Sequence, residues 1–489
     1  MAANTLIPKN GARPRRVMGL FDLTLFYVVS GISLRWISAA AAAGARGVVI
    51  WAIAWLTFFI PLALSVIELS SRYPEEGGMY VWTKRAFGDF SAFMCSWIYW
   101  ANNLPYFPAA LYFAASNILF LGSNQWLHLS NSPSYFVLFS IVALISVTVL
   151  NIIGLNFVKW VNNAGAIAMW SPAFIVIVMG IIAWWRFGSA TQFTVANLTP
   201  GTSLKDLIFC STIFYALSGC ETASFMGDEI KDARRNIPRA ILIGGSLVTI
   251  AYIGGTICVL LAVPSQKVNG LEGLMQAITQ AAQRVGFAPI IPVAAILIAL
   301  SNLGAVAAFF GASARLPFVA GLDHHLPRAY GKVHPRWGTP IIALLTQGAF
   351  ALIFIFLGQA GTSIKGAYDA LVSLGVIWAF IPYLFVFAAL WRLQREPLAP
   401  GVTHIPGGER AAVVVSIVGF TTTLTTIIFS LIPAPDEPNK LLELVKVAGL
   451  TAVLVAVGAS LFMAGKRRAT QTGAKKGAAA EGCITSLET

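Results

Sequence analysis

Charge is scarce in this chain. Asp, Glu, Lys and Arg make up 11% of its 489 residues, against 57% apolar residues. A soluble protein of this length needs far more charge to cover its surface, so the chain reads as an all-α polytopic membrane protein. Cysteine is sparse too. The five (Cys95, Cys210, Cys220, Cys258 and Cys483) form no CxxC pair, and four lie in apolar runs. That argues against a disulfide framework or a thiolate metal centre and leaves buried thiols. There is no GxxxxGK[ST] loop, no HExxH and no nucleotide fingerprint, which weakens an ATP-driven pump or a membrane metalloprotease. His324-His325 sits in a polar loop without ligand spacing, so neither a metal nor another cofactor is expected. No loop gathers a clustered catalytic set, so the chain is not read as an enzyme. A basic leader (Lys9, Arg13, Arg15, Arg16) runs directly into the first apolar segment, and no cleaved signal peptide is expected.

What the chain does have is long apolar runs. Windows of roughly 20 apolar residues predict twelve spans, near 20–43, 47–70, 89–121, 134–155, 160–186, 204–226, 238–263, 287–314, 340–358, 367–391, 411–432 and 442–465. The more polar segment 267–285 is expected to form an outer loop helix. Residues 466–489, basic and then small and polar, read as a disordered tail. The N-terminus, the even-numbered loops and the tail together carry about three times as many Lys and Arg as the odd-numbered loops, which places both termini in the cytoplasm and supports an even number of spans. The net charge of +13 is mostly this asymmetry. It implies attraction to anionic membrane lipid and not a nucleic-acid surface.

Two spans are interrupted. "SGISLRWISAAAAAG" places Ser30-Gly31 inside span 1 and a full charge, Arg35, five residues after Ser30. "FYALSGCETAS" repeats the Ser-Gly pair at Ser218-Gly219 inside span 6, beside Glu221. Five spans separate the starts of the two candidate halves. An odd number reverses the entry side of the second half, which makes an inverted-topology repeat. A lone Ser-Gly pair also marks helix packing, but matched breaks in both halves point to a transport site at the midplane. The expected organisation is 1–18 cytoplasmic N-terminus, 19–186 first five-helix repeat, 204–391 second repeat, 411–465 two C-terminal helices and 466–489 cytoplasmic tail.

Three stretches carry a resemblance. "YPEEGGMYVWTKRAFG" follows span 2, "FYALSGCETASFMGDEIKDARRNIPRAI" covers the end of span 6 and the next loop, and "SARLPFVAGLDHHLPRAYGKVHPRWGTP" joins spans 8 and 9. Together they resemble the amino acid–polyamine–organocation (APC) family of permeases. The resemblance implies a leucine-transporter-like fold of 5+5 inverted helices plus two C-terminal ones. It implies a permease or exchanger of the cell membrane working by alternating access. It also implies that Tyr215 is an aromatic lid, and that Ala216, Leu217 and Ser218 offer carbonyls to a substrate amine. Span 1 departs from the Gly-Ser-Gly-like triplet usual in the family, having Ser30-Gly31-Ile32. The run "SLRWISAAAAAG" looks closer to the glutamate/GABA exchanger branch. Span 5 lacks the Lys that proton-coupled members often carry.

The chemistry follows from helix ends. A free N-terminal end offers N–H groups and a positive dipole to a carboxylate, and a free C-terminal end offers C=O groups to an ammonium. The backbone at Gly31, Ile32 and Ser33 is therefore expected to take a carboxylate, and the Tyr215–Gly219 region an amine. In "WIYWANNLPYFP" of span 3, Asn103 and Trp100 are candidates for the cavity wall, and interhelical packing accounts for them equally well. Ser301 and Asn302 of span 8 fall, by family position, near the cation site of sodium-coupled relatives, with packing the competing reading. Arg35 needs a negative partner, which is either Glu221 or a substrate carboxylate. The substrate is an amino acid or, alternatively, a polyamine or other organic amine. The expected partners are that substrate, a coupling proton or sodium ion or a counter-substrate, and lipid. A non-transporting scaffold or receptor gives no reason for matched breaks.

Overall fold

The computed structural model describes residues 19–485 apart from 74–76, 154, 202, 223, 225–229, 269, 315–329, 331–333, 335–336, 338, 398–401 and 434–438. The side chains of 25–26, 28–30, 123–124, 155–169, 204–205, 233 and 468–485 are likewise outside the description.

Among the described residues, ten helices are long and apolar enough to cross a membrane: Arg46–Arg72, Asp89–Gly122, Pro133–Ile153, Trp170–Phe187, Arg234–Ala262, Ile290–Ser313, Ile341–Gln359, Ile364–Leu393, Gly408–Ser430 and Lys440–Arg467. They are spans 2–5 and 7–12. The two remaining spans fall short because each is broken. Span 1 is Leu20–Gly31 followed by Leu34–Ala42, and span 6 is helical only over Leu204–Ala216 before its backbone turns. The chain thus has twelve spans, and the breaks fall in the two predicted. The last helix continues to Thr485, where the sequence suggests a disordered tail. Its Ala, Lys and Arg are strong helix formers, and propensity carries the helix past the apolar stretch.

Apolar residues face out as well as in. On span 4, Leu138, Val142, Ile145 and Val149 form an exposed stripe at helical spacing, the surface expected against lipid. Spans 3 and 10 are the most enclosed. Polar side chains bind neighbouring spans through backbone carbonyls, the usual glue where apolar burial gives no net drive. Asn151 of span 4 donates to Ala307 O on span 8 at 3.1 Å, and Gln347 of span 9 donates to Phe310 O at 2.9 Å. Span 12 is tied by Trp97 Nε1 donating to Leu454 O and Trp378 Nε1 donating to Thr451 Oγ1. The more polar segment after span 7 forms the helix Gly273–Val285. Ser38 Oγ accepts from Leu274 N at 2.9 Å, and Ser116 Oγ donates to Glu272 Oε1 at 3.0 Å, so this helix closes over spans 1 and 3.

At the end of span 2, Glu68 and Arg72 form a buried pair at 2.5 Å. Glu68 also accepts from Gln394 Nε2 and Ile405 N, and Arg72 donates to Leu393 O. The Tyr73 hydroxyl donates to Glu396 at 2.6 Å, and burial with the adjacent carboxylate pushes its pKa up to about 12. The linker between spans 10 and 11 is clamped to span 2 by these bonds. Glu68 is therefore structural, as its position at a span end suggests.

Removing one partner of a buried pair strands a charge and costs about 3–5 kcal/mol, whereas an exposed pair is worth about 0–1 kcal/mol. Arg72→Ala should therefore lower the melting temperature of detergent-purified protein far more than Lys84→Ala, which breaks the exposed Lys84–Asp89 pair. Equal shifts in a thermal melt would show that the clamp is not stabilising.

Candidate functional site

A helix broken in an apolar medium frees backbone groups that must find partners. In span 1, Ile32 and Ser33 separate the two half-helices, and Ser33 is extended at φ −130°, ψ 121°. Tyr252 of span 7 splints the gap. Its hydroxyl donates to Gly31 O at 2.6 Å and accepts from Ser33 N at 2.9 Å, while its ring stacks on Trp51 at 4.6 Å. The small Gly31 permits the approach, since a Cβ there would meet Val248 Cγ2 at 3.2 Å. The Ser33 N–H expected to bind a carboxylate is thus already used. The Ser33 side chain makes no cap bond, and the first-turn N–H groups of Leu34 and Arg35 are the open donors.

In span 6 the first half-helix ends at Ala216. Ser218 turns back on Tyr215 O through both its N–H (3.0 Å) and its hydroxyl (2.7 Å). Gly219 takes φ +106°, a conformation that a side chain resists. A Cβ there would meet nothing within 4 Å, so backbone conformation and not space requires the glycine. Tyr27 of span 1 donates to Cys220 O at 2.7 Å. Among the described residues, no hydrogen bond ends on the carbonyls of Ala216 or Leu217. Past the break, Thr222 N donates to Gly219 O in a tight turn. The loop after span 6 carries Asp228, Glu229 and Asp232 near Arg234, Arg235 and Arg239 in sequence, a pattern suited to ion pairs, and Asp228 and Glu229 lie outside the described residues. The three arginines and Asp232 are exposed.

A small cavity of about 30 Å³ joins the breaks, with Gly31 on one side, Ala216 to Gly219 on the other, and Phe59 and Val248 among its walls. Arg35, Trp100 and Asn103 are not on its walls.

Arg35 is only 2% exposed. Its guanidinium lies over the rings of Trp36 (4.1 Å) and Tyr106 (4.7 Å), and Nε and Nη1 are buried without a hydrogen-bond partner. The expected Arg35–Glu221 ion pair does not form. Glu221 accepts instead from Tyr99 and Tyr383 hydroxyls, both at 2.8 Å, and from Gly219 N at 3.2 Å. Two other buried acids are engaged by cations: Glu68 with Arg72 and Asp206 with Arg46 at 2.7 Å. Among the described residues Arg35 has no ion pair. Cation–π contact returns about 0.5–2 kcal/mol, less than the several kcal/mol that burying an ion costs.

Tyr215 stands at the end of the span 6 half-helix. Its hydroxyl donates to Asn102 Oδ1 at 2.9 Å, and its ring meets Trp36 edge-on at 5.3 Å and Phe380 at 6.5 Å. It stands beside the Arg35 cluster, one residue before Ala216 of the cavity wall, and is not itself on that wall. In span 3 the partner is Asn102. Asn103 is bonded back to Trp100 O at 3.0 Å on its own helix, and Trp100 packs on Trp97 at 5.2 Å with its Nε1 unpartnered. Adjacent asparagines on a kinked helix point in different directions, which residue type cannot reveal. Ser301 and Asn302 both bond to Ile298 O within span 8, an arrangement that packing explains. Tyr99, Tyr252 and Tyr383 escaped sequence reading because a tyrosine in an apolar run is indistinguishable from packing.

Two broken helices face to face, one presenting open donors and the other open acceptors, are the architecture of a secondary transporter. The amino acid permease model matches residues 18–460, and the chain belongs to that family, within the APC transporters. An uncharacterized transporter of Legionella pneumophila is 29% identical over 435 residues, 87% of this chain and 92% of that protein. A probable agmatine/putrescine antiporter of Lactococcus lactis is 22% identical over 83% of this chain and 86% of its own length. The structure of MhsT in complex with L-phenylalanine aligns at a TM-score of 0.60 with 12% identity, over 86% of this chain and all of that one. The fold is thus the leucine-transporter fold, and the protein is a transporter and not an enzyme.

Gly219→Ala should place a side chain at an unfavourable backbone conformation costing about 1–3 kcal/mol. Uptake should fall while membrane expression persists. Tyr252→Phe removes the splint of span 1 and should lower both thermal stability and uptake, read by melting and by transport into proteoliposomes. Wild-type uptake in either variant would reduce that break to a packing feature.

Proposed function

We propose that the protein moves an amino acid across the cell membrane by alternating access, with both termini in the cytoplasm. The observation that carries this is the uncapped start of one half-helix, Leu34–Ala42, set against the open carbonyls of Ala216 and Leu217 that end the other. An α-carboxylate suits the first-turn N–H groups of Leu34–Ala42, and an α-ammonium suits the carbonyls of Ala216 and Leu217. The cavity between the breaks is small in this conformation, about 30 Å³, well below a small-ligand site, so substrate entry requires the breaks to open, with Tyr215 as the lid.

The agmatine/putrescine relative supports the competing amine reading. Two features weigh against that reading. Glu221, the acid beside the break, already accepts from three donors. The aromatic contacts that suit an organic cation are filled by the chain's own Arg35. A dication entering here meets a positive charge without a spare carboxylate.

Purified protein should be stabilised against heat by an amino acid at millimolar concentration, by about 2.7 kcal/mol at a hundred times its Kd, and not by putrescine or agmatine. Tyr215→Ala should abolish uptake while the protein stays folded. Stabilisation by polyamines alone would overturn the amino-acid reading.

A further inference from the structure

We propose that Arg35 binds a second carboxylate, so that the substrate is a dicarboxylic amino acid, with Tyr368 as a second donor to the same group. This rests on the amino-acid reading above and names its substrate class.

The α-carboxylate has a sufficient site without the Arg35 side chain. The N-terminal turn of Leu34–Ala42 is uncapped by any side chain, and its free N–H groups and dipole suit one carboxylate. The guanidinium is an additional positive charge. The rings of Trp36 and Tyr106 hold it in place and supply no counter-charge. Its edge nitrogens Nε and Nη1 are buried and unmet.

Tyr368 of span 10 is 4% exposed, and its hydroxyl too is buried without a partner. It lies within electrostatic reach of Arg35. A cation and a neutral hydroxyl, both buried and both without a hydrogen-bond partner, thus lie within electrostatic reach of each other. A carboxylate is a planar acceptor of several hydrogen bonds and matches a guanidinium edge. A neutral amino acid leaves all three atoms unmet, which disfavours it by the same cost that buried polar groups incur when a partner is missing. The cavity and the guanidinium are separate in this conformation, with Tyr215 in contact with the Trp36 side. Movement of Tyr215 on opening is the step that joins them.

The test is uptake into proteoliposomes of glutamate and aspartate against glutamine and asparagine, which differ only by the side-chain carboxylate. Wild type should prefer the acids. Arg35→Gln should lower kcat/KM for the acids by roughly 10- to 100-fold while leaving the amides unchanged or improved. Arg35→Lys should recover only a minor part, because an ammonium lacks the planar fork. Tyr368→Phe should raise KM for the acids alone. Thermal stabilisation of each purified variant by glutamine checks that the variant is folded and binds. Wild-type preference for the amides, or equal losses on acids and amides in Arg35→Gln, overturns the second-carboxylate site while leaving an amino-acid transporter. Uptake of polyamines without any amino acid overturns the underlying reading as well.

Discussion

Every feature of the site descends from one constraint: backbone polar groups have no water to turn to inside the membrane. A helix can be interrupted there only where something else takes over its hydrogen bonds. In span 1 that is Tyr252, whose single hydroxyl bridges Gly31 O and Ser33 N. In span 6 it is the turn of Ser218 onto Tyr215 O, Thr222 onto Gly219 O, and Tyr27 reaching Cys220 O. The groups left over after these bonds are the ones available to a substrate. The splints therefore decide the site's chemistry as much as the breaks do.

The same low-dielectric setting sorts the charges. Glu68 and Asp206 are paired with arginines, and Glu221 is satisfied by two tyrosines and a backbone N–H without any cation. Arg35 is the exception, stacked on aromatic rings and otherwise unmatched. A protein stable only marginally overall does not retain such a group on packing grounds. The asymmetry between a settled acid and an unsettled base gives the site its polarity.

The scaffold around the site is held differently. Spans 4, 8 and 9 are joined by side-chain amides on carbonyls, and span 2 is clamped to the linker after span 10 by the Glu68–Arg72 network. These bonds are saturated within the protein. The contrast separates these fully engaged framework contacts from a pair of breaks that keep backbone donors and acceptors in reserve.

How much of this was legible in the sequence depends on what kind of information each feature needs. Apolar run length and Lys/Arg asymmetry are local, so twelve spans and two interrupted ones could be read directly. The Ser-Gly pairs and the positive-φ Gly219 are local too, since glycine is what such a backbone demands. Side-chain direction is not local. Asn102 and Asn103 are neighbours of identical chemistry, yet one meets Tyr215 and the other its own helix. The Arg35–Glu221 pair was the simplest charge balance a one-dimensional reading could offer, and only packing could bring Tyr99 and Tyr383 from spans 3 and 10 onto Glu221 first. By itself the sequence determined the membrane class, the repeat and where the helices break, because these follow from residue type and spacing. Tertiary structure alone decided which charge stays unpaired, because that depends on which distant hydroxyls arrive within hydrogen-bond reach.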